Sequence, residues 1–235
     1  MTKNNELIIY YNERRIPVHV RYSARKRLSL TIYPGGKVVA KAPPGIPLSC
    51  VQAFVRKRAA WMDKHLRRFE EHPPAPPKVF VSGEIHPWLG REYRLLLNKS
   101  ARASVNIQNQ EIRVFLPDPG DKAAVEKRLQ DWYRKEALRI LTPRFWELSE
   151  SLYELDLPEH KLRFYRMKRR WGSCSSKGVI TLNTELIKKA PELIDYVILH
   201  ELCHLKVPAH NKAFYTLLES VLPDWKTRRK ELNGR

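Results

Sequence analysis

The stretch that most constrains this chain is a helix that has to be buried and yet carries polar groups. After Pro191, which suits a first helical turn, and Glu192, which suits the positive end of the helix dipole, Leu193, Ile194, Val197, Ile198, Leu202 and Leu205 surround most of the circumference. Within that apolar helix stand His200, Glu201 and His204. Buried polar groups need partners, and an apolar core supplies none. Two histidines four residues apart project from one face of a helix, a spacing at which two imidazoles can hold a single Zn²⁺. Glu201, between them, is placed to act on a metal-bound water rather than to bind the metal.

A third ligand has to come from beyond the helix. Pro208 cannot sit in a helix interior and forces Val207 out of the helical region, so the chain turns just after His204 and can bring His210 back over the metal. Three imidazoles would leave a fourth position open for water, the arrangement of a catalytic zinc site. Glu219, on the following helix, is an alternative third ligand. Cys174 and Cys203 read as small buried hydrophobes rather than ligands, and His19, His86 and His160 have no partner at ligand spacing.

Charge sets the second constraint. The chain has 44 Lys and Arg against 25 Asp and Glu, a net charge of +19 over 235 residues. The excess stands in scattered clusters, Arg25-Lys26-Arg27, Arg56-Lys57-Arg58, Lys168-Arg169-Arg170 and Arg228-Arg229-Lys230, so any basic surface is assembled by folding. Such a surface suits nucleic acid, or a protein bound to it, although no recognisable nucleic-acid motif accompanies the charge. The three cysteines are too few and too scattered for a disulfide framework, which fits a reducing cytoplasm. There is no apolar leader and no run of about 18 apolar residues to span a bilayer, so the expectation is a cytoplasmic protein with no membrane contact.

Read along its length, the chain gives an α+β pattern. Strand signals at Leu7–Tyr11, Val18–Tyr22, Leu28–Tyr33 and Val38–Ala42 predict a small antiparallel sheet, followed by one basic helix capped at Ser49 and running to about Glu71. These form an N-terminal subdomain over residues 1–72, and the proline-rich run over 73–78 reads as a linker. Residues 79–235 make the second domain, which is either separate or continuous with the first. Its strands are expected at Val79–Val81, Tyr93–Leu97, Val105–Gln108 and Ile112–Leu116. A helix follows over Asp121–Leu152 with a kink or break at Pro143. Then come a strand over Lys161–Met167, a loop over Arg170–Gly178, a returning strand over Val179–Leu182, a short helix capped by Asn183 or Thr184, the histidine helix, and two further helices over Asn211–Val221 and Pro223–Leu232.

Several motifs taken together carry a resemblance. They are Arg170-Trp171-Gly172-Ser173-Cys174 followed by Ile180-Thr181-Leu182-Asn183, the run from Ile194 through His200-Glu201-Leu202-Cys203-His204 to Leu205, and His210 followed by Phe214. With the early segments Arg25–Ile32 and Pro43-Pro44-Gly45, they make the chain resemble the YgjP-like metallopeptidase family, small bacterial zincins related to the SprT and Spartan proteases. The resemblance implies a zincin-like catalytic core of the minimal gluzincin type, with its active-site helix packed on a small sheet. It also implies a metal-dependent hydrolase with zinc on His200, His204 and His210 and Glu201 as the catalytic carboxylate. The His204 to His210 spacing also matches the metzincins, but Val207 stands where they have glycine and no methionine follows His210. The cysteine zinc ribbon that SprT-like proteins often add is missing too, so a DNA-targeting role does not carry over.

The expected reaction is attack of water on a peptide carbonyl, with Glu201 as general base and a peptide or protein as substrate. Arg170, Trp171, Gly172 and Ser173 are the candidate substrate-binding residues, because a strand pair there could offer its edge to an extended peptide. The plainer alternative is a hairpin with Trp171 in the core and Gly172 needed for the turn. For oxyanion stabilisation Arg169, Arg170 and Tyr215 are near in sequence, but on a continuous helix Tyr215 would face away from His210. Two other classes stay open: a basic nucleic-acid-associated protein whose zinc site is structural or inactive, and a metal-dependent hydrolase acting on something other than peptides.

Overall fold

Asn12 and Glu13, both with positive φ (44° and 63°), make the two-residue turn that joins β1 (Asn5–Tyr11) to β2 (Arg14–Tyr22), a turn whose twist matches that of its strands. Ile16, Val18 and Val20 alternate along β2 and face the core. The computed structural model describes residues 5–33, 35–71 and 77–234. They divide into two compact units, Met1–Pro77 and Lys78–Arg235. Most of the proline-rich run expected as a linker, residues 73–76, lies outside the described residues.

The first unit corrects the expectation of an antiparallel sheet. With β3 (Ser29–Ile32) and β4 (Val38–Ala42), the strand order is β1-β2-β4-β3, and β2 runs parallel to β4. The reason is in the side chains. Val38, Val39, Ala40 and Ala42 are all buried, whereas every residue of β3 is only half-buried. A near-continuous apolar strand takes the sheet interior. Two chain reversals separate β4 from β2, so the two run in the same direction when they become neighbours. The single basic helix expected next is two, α1 (Leu48–Arg56) and α2 (Ala59–Glu71), and α1 has no side-chain cap. The chain tightens in the Arg56-Lys57-Arg58 run, where the Arg58 amide reaches back only three residues to the Val55 carbonyl. Val51, Val55, Ala59, Met62 and Leu66 still share the core of this unit.

The second unit begins with another four-stranded sheet of the same order. It has β5 (Ile85–Trp88), β6 (Arg91–Lys99), β7 (Ser104–Gln108) and β8 (Glu111–Leu116), arranged β5-β6-β8-β7. Val79–Val81 is not a strand, because the Val79 and Phe80 amides are taken by the Glu84 carboxylate (2.9 Å each) instead of a neighbouring chain. The strand lies later, at β5, where Pro87 hid it; an edge strand tolerates proline. α3 (Lys122–Ser151) is capped by Asp121, which accepts from the Ala123 and Ala124 amides, and it runs through Pro143 unbroken. Its buried residues, Val125, Leu129, Tyr133, Ala137, Leu141 and Phe145, recur at four-residue intervals, while Leu138 is exposed. Because a turn holds 3.6 residues, a four-residue stripe winds slowly round the helix as it follows the core.

A small third sheet carries the chain to the histidine helix. β9 (Lys161–Tyr165) and β11 (Val179–Asn183) pair in parallel, and β10 (Gly172–Cys174) pairs antiparallel with β11 at the edge, giving the order β10-β11-β9. The expected loop over Arg170–Gly178 thus contains a strand, and the returning strand pairs antiparallel with β10 rather than with β9. A 3₁₀ turn (Thr184–Lys188) leads to α4 (Pro191–Cys203), α5 (Lys212–Val221) and α6 (Trp225–Leu232). Side chains of β11, α3, α4 and α5 meet in one core, which includes Ile180, Leu182, Phe145, Ile198, Leu202 and Phe214. Among the described residues no helix is long and apolar enough to cross a membrane. Phe145 is fully buried in this core. Phe145→Ala is expected to lower the stability of the second unit by about 3–5 kcal/mol, as read by denaturant unfolding, because it leaves a cavity beneath α4.

Candidate metal centre

α4 brings the first two histidines together. His200 lies in its last turn and His204 caps it, and the chain winds on until the Val207 amide bonds the Cys203 carbonyl at 3.0 Å, just before Pro208. His204 Nδ1 lies 3.1 Å from the Val207 carbonyl, so it donates there and leaves Nε2 as the lone-pair nitrogen. The third histidine comes from the turn before α5. Asn211 caps that helix by accepting from the Phe214 amide, which sets His210 outside it. His210 Nε2 is 3.1 Å from His204 Nε2 and 3.0 Å from His200 Nε2. Phe214, fully buried, packs against all three rings, with centroids 4.4–4.9 Å away and the His204 ring stacked on it.

Three ring nitrogens converging in this way need something positive between them. Burial, reinforced by the neighbouring His204 and His210, pushes the His200 pKa down to about 3, and burial lowers that of His204 as well. His200 and His204 are therefore neutral, and the one N–H that the Nε2 of His210 can carry cannot serve both facing nitrogens at once. The donor set fits a metal ion, and the three histidines together can hold one. His200 Nδ1 is buried without a partner among the described residues. Glu219, the alternative ligand, pairs with Lys226 at 2.9 Å instead. Cys203 is fully buried and Cys174 lies in β10, and burial pushes their thiols up to about 12 and about 11. His86 pairs with Glu84, and His160 with Ser149 and the Pro158 carbonyl.

Glu201 lies beside the cluster and is only 6% exposed. Burial pushes its pKa up to about 8, against the opposing pull of Arg170. The carboxyl has room because residue 172 is glycine. A Cβ there would stand 2.6 Å from Glu201 Oε1 and 2.7 Å from Cγ, closer than such atoms approach. The φ of Gly172 is not in the left-handed region, so what this position demands is space rather than a turn. The turn reading of Gly172 is thereby corrected.

β10 is held in place from behind by Asn183, which is 2% exposed. Its side-chain amide donates to the carbonyls of Met167 (2.8 Å) and Arg170 (2.7 Å), and its oxygen accepts from the Met167 and Glu185 amides (3.2 and 3.1 Å). The sequence identified Asn183 as a cap but not as the clamp on the segment leading into β10. Its partners fifteen or so residues upstream leave no mark in local sequence.

A cleft of about 690 Å³ runs over the cluster and is lined by Arg170, Gly172 and Ser173 together with Glu201 and the three histidines. Trp171 is half-buried and packed against the core, and it lies under Lys189, whose Nζ is 5.1 Å from the ring centre. Tyr215 does not face away: its ring centre is 6.2 Å from that of His210, because α5 starts only at Lys212 and no continuous helix joins the two. Arg169 is exposed.

The chain is thus an α+β protein in which three histidines able to hold a metal converge beside a buried carboxyl. The family model for the YgjP-like metallopeptidase domain matches residues 26–235, and the chain belongs to that family. Among solved structures it is similar to the metallopeptidase zymogen of Pyrococcus abyssi abylysin, at 25% identity over 37% of this chain and 90% of that one, with a TM-score of 0.35. It is also similar to the metallopeptidase zymogen of Methanocaldococcus jannaschii jannalysin, at 22% identity over 38% of this chain and 94% of that one, with a TM-score of 0.34. No curated protein matches significantly. Gly172→Ala is expected to destabilise the protein by about 1–3 kcal/mol in thermal or denaturant unfolding while leaving bound metal unchanged. An unchanged unfolding midpoint would show that Glu201 does not depend on that space.

Proposed function

We propose that the protein is a zinc-dependent metallopeptidase with a zincin-like core, in which His200, His204 and His210 hold the zinc and Glu201 is the general base. The observation that carries this reading is the meeting of three Nε2 atoms within 3.0–3.1 Å contacts, next to a carboxyl that makes no ion pair among the described residues. His200, His204 and His210 would hold the ion, and zinc when bound would supply Lewis acidity, acidifying water and polarising a carbonyl. Glu201 takes the proton of the attacking water on a carboxylate oxygen and passes it to the departing amine nitrogen. Its low-polarity surroundings favour the uptake, since burial raises the proton affinity of a carboxylate.

The substrate side follows from β10. Among the described residues it is an edge strand of its sheet, paired with β11 alone, and it lines the cleft. An extended peptide can add to such an edge through main-chain hydrogen bonds without demanding a particular sequence. Arg170, Gly172 and Ser173 would then flank the peptide. Family membership supports the reaction class.

The test compares the purified protein with Glu201→Gln on an unfolded, carboxymethylated protein substrate, with zinc measured in both. About one zinc per chain is expected in each, with hydrolysis reduced about 10²–10⁴-fold in the variant. Removing the metal with a chelator should abolish activity, and stoichiometric zinc should restore it. Equal hydrolysis by both proteins would contradict the role of Glu201.

A further inference from the structure

The histidine cluster has a second side. Gly172, His200, Glu201 and His210 border the large cleft and also a smaller recess of about 260 Å³ towards α6. Both spaces therefore open onto the cluster. The smaller recess is also lined by Trp171, Tyr196, Val197 and Leu232, with Asn233 and, among the described residues, a single Lys or Arg, Arg229. Among the described residues Glu201 is the one carboxylate that lines it.

Arg229 is held in a way that leaves its charge available. On the same helix, Lys226 pairs with Glu219 (2.9 Å) and Arg228 with Asp224 (2.8 Å), whereas Arg229 has no carboxylate partner among the described residues. Aromatic rings support it instead. Its guanidinium carbon lies 6.0 Å from the ring centres of both Tyr215 and Trp225, and one N–H reaches the Tyr215 hydroxyl at 3.4 Å. The two rings stack on each other with centroids 4.9 Å apart, and Trp225 is buried, so the support is firm. The charge is felt at the cluster, where it helps to lower the pKa of His200 and opposes the rise in that of Tyr196. A planar guanidinium with free donors is the group best shaped to recognise a carboxylate.

We propose that this recess binds a carboxylate of the substrate and that Arg229 is its specificity-determining residue. The carboxylate has two sources, the free C-terminus of a peptide or an Asp or Glu side chain next to the bond that is cut. The inference rests on the metallopeptidase reading for its substrate class, but the binding itself is measurable without turnover.

The experiment uses the full chain loaded with zinc and carrying Glu201→Gln, titrated calorimetrically with N-acetylated alanine-rich hexapeptides. Four peptides are compared: the free acid, its C-terminal amide, and two further amides that carry one internal Glu or one internal Gln. At least one charged peptide is expected to bind about tenfold or more tightly than its neutral counterpart, and the one that does so identifies the source of the carboxylate. In the same background Arg229→Gln should bring that ratio close to one, and Arg229→Lys should keep part of it, with circular dichroism melts confirming that both variants fold. A ratio that survives in Arg229→Gln would mean that the carboxylate sits on the zinc alone, and this overturns the proposal, as does equal or undetectable binding of charged and neutral peptides. The two readings fail separately. Discrimination by Arg229 with no hydrolysis by the native protein would sink the peptidase and leave the carboxylate site, whereas hydrolysis without discrimination would do the reverse.

Discussion

Neutral imidazoles that point their ring nitrogens at one another in a half-buried pocket are unfavourably placed unless a cation lies between them. In this protein the rings cannot turn away. His204 is tied through Nδ1 to the Val207 carbonyl, His210 is set in position by the Asn211 cap that follows it, and Phe214 packs against all three. Protonation does not relieve the crowding either, since burial and mutual repulsion hold His200 neutral. The fold spends stability to keep this arrangement, and binding a metal would return it. Much of the second unit reads as a consequence: a long α3 and the β11 strand bury α4 on its apolar sides, so that only the polar groups of its last turn meet the cleft.

The second dependence is between α4 and β10. Glu201 is buried against a strand and not within its own helix, and the position of its carboxyl rests on the missing side chain of Gly172. The strand in turn rests on Asn183, whose side-chain amide donates to the segment that precedes β10 and whose oxygen accepts from that segment and from the Glu185 amide. A base on a helix, a glycine on an edge strand and a clamp one strand further in thus act as a single unit. It is also a rigid one, since each part belongs to a strand or a helix or is hydrogen-bonded to one.

How much of this was legible depended on the range of the interaction concerned. The histidine helix could be read because its apolar circumference, its His-Glu-x-x-His spacing and the stop at Pro208 all lie within about twenty residues. The hairpin strands of the first unit were legible for the same reason. What was missed is long-range. Nothing near β4 states that it will lie beside β2, although its run of buried small and branched residues agrees with a central place once seen. Pro87 disguised an edge strand, a side-chain carboxylate at Glu84 displaced another, and Gly172 looked like a turn residue because the group that needs its space is twenty-nine positions away in sequence. Tyr215 comes near His210 because the cap at Asn211 leaves His210 outside the helix that carries Tyr215, a break that local spacing alone does not show.

The central claim is that the three histidines hold one zinc ion and that sulfur takes no part. The most direct measurement is zinc X-ray absorption on the purified full chain, alongside His210→Ala. The account predicts one zinc per chain with three nitrogen neighbours at about 2.0–2.1 Å in the native protein, one nitrogen fewer in the variant, and no sulfur in either. A shell containing sulfur, a shell that His210→Ala leaves unchanged, or no zinc retained after loading and dialysis would contradict it.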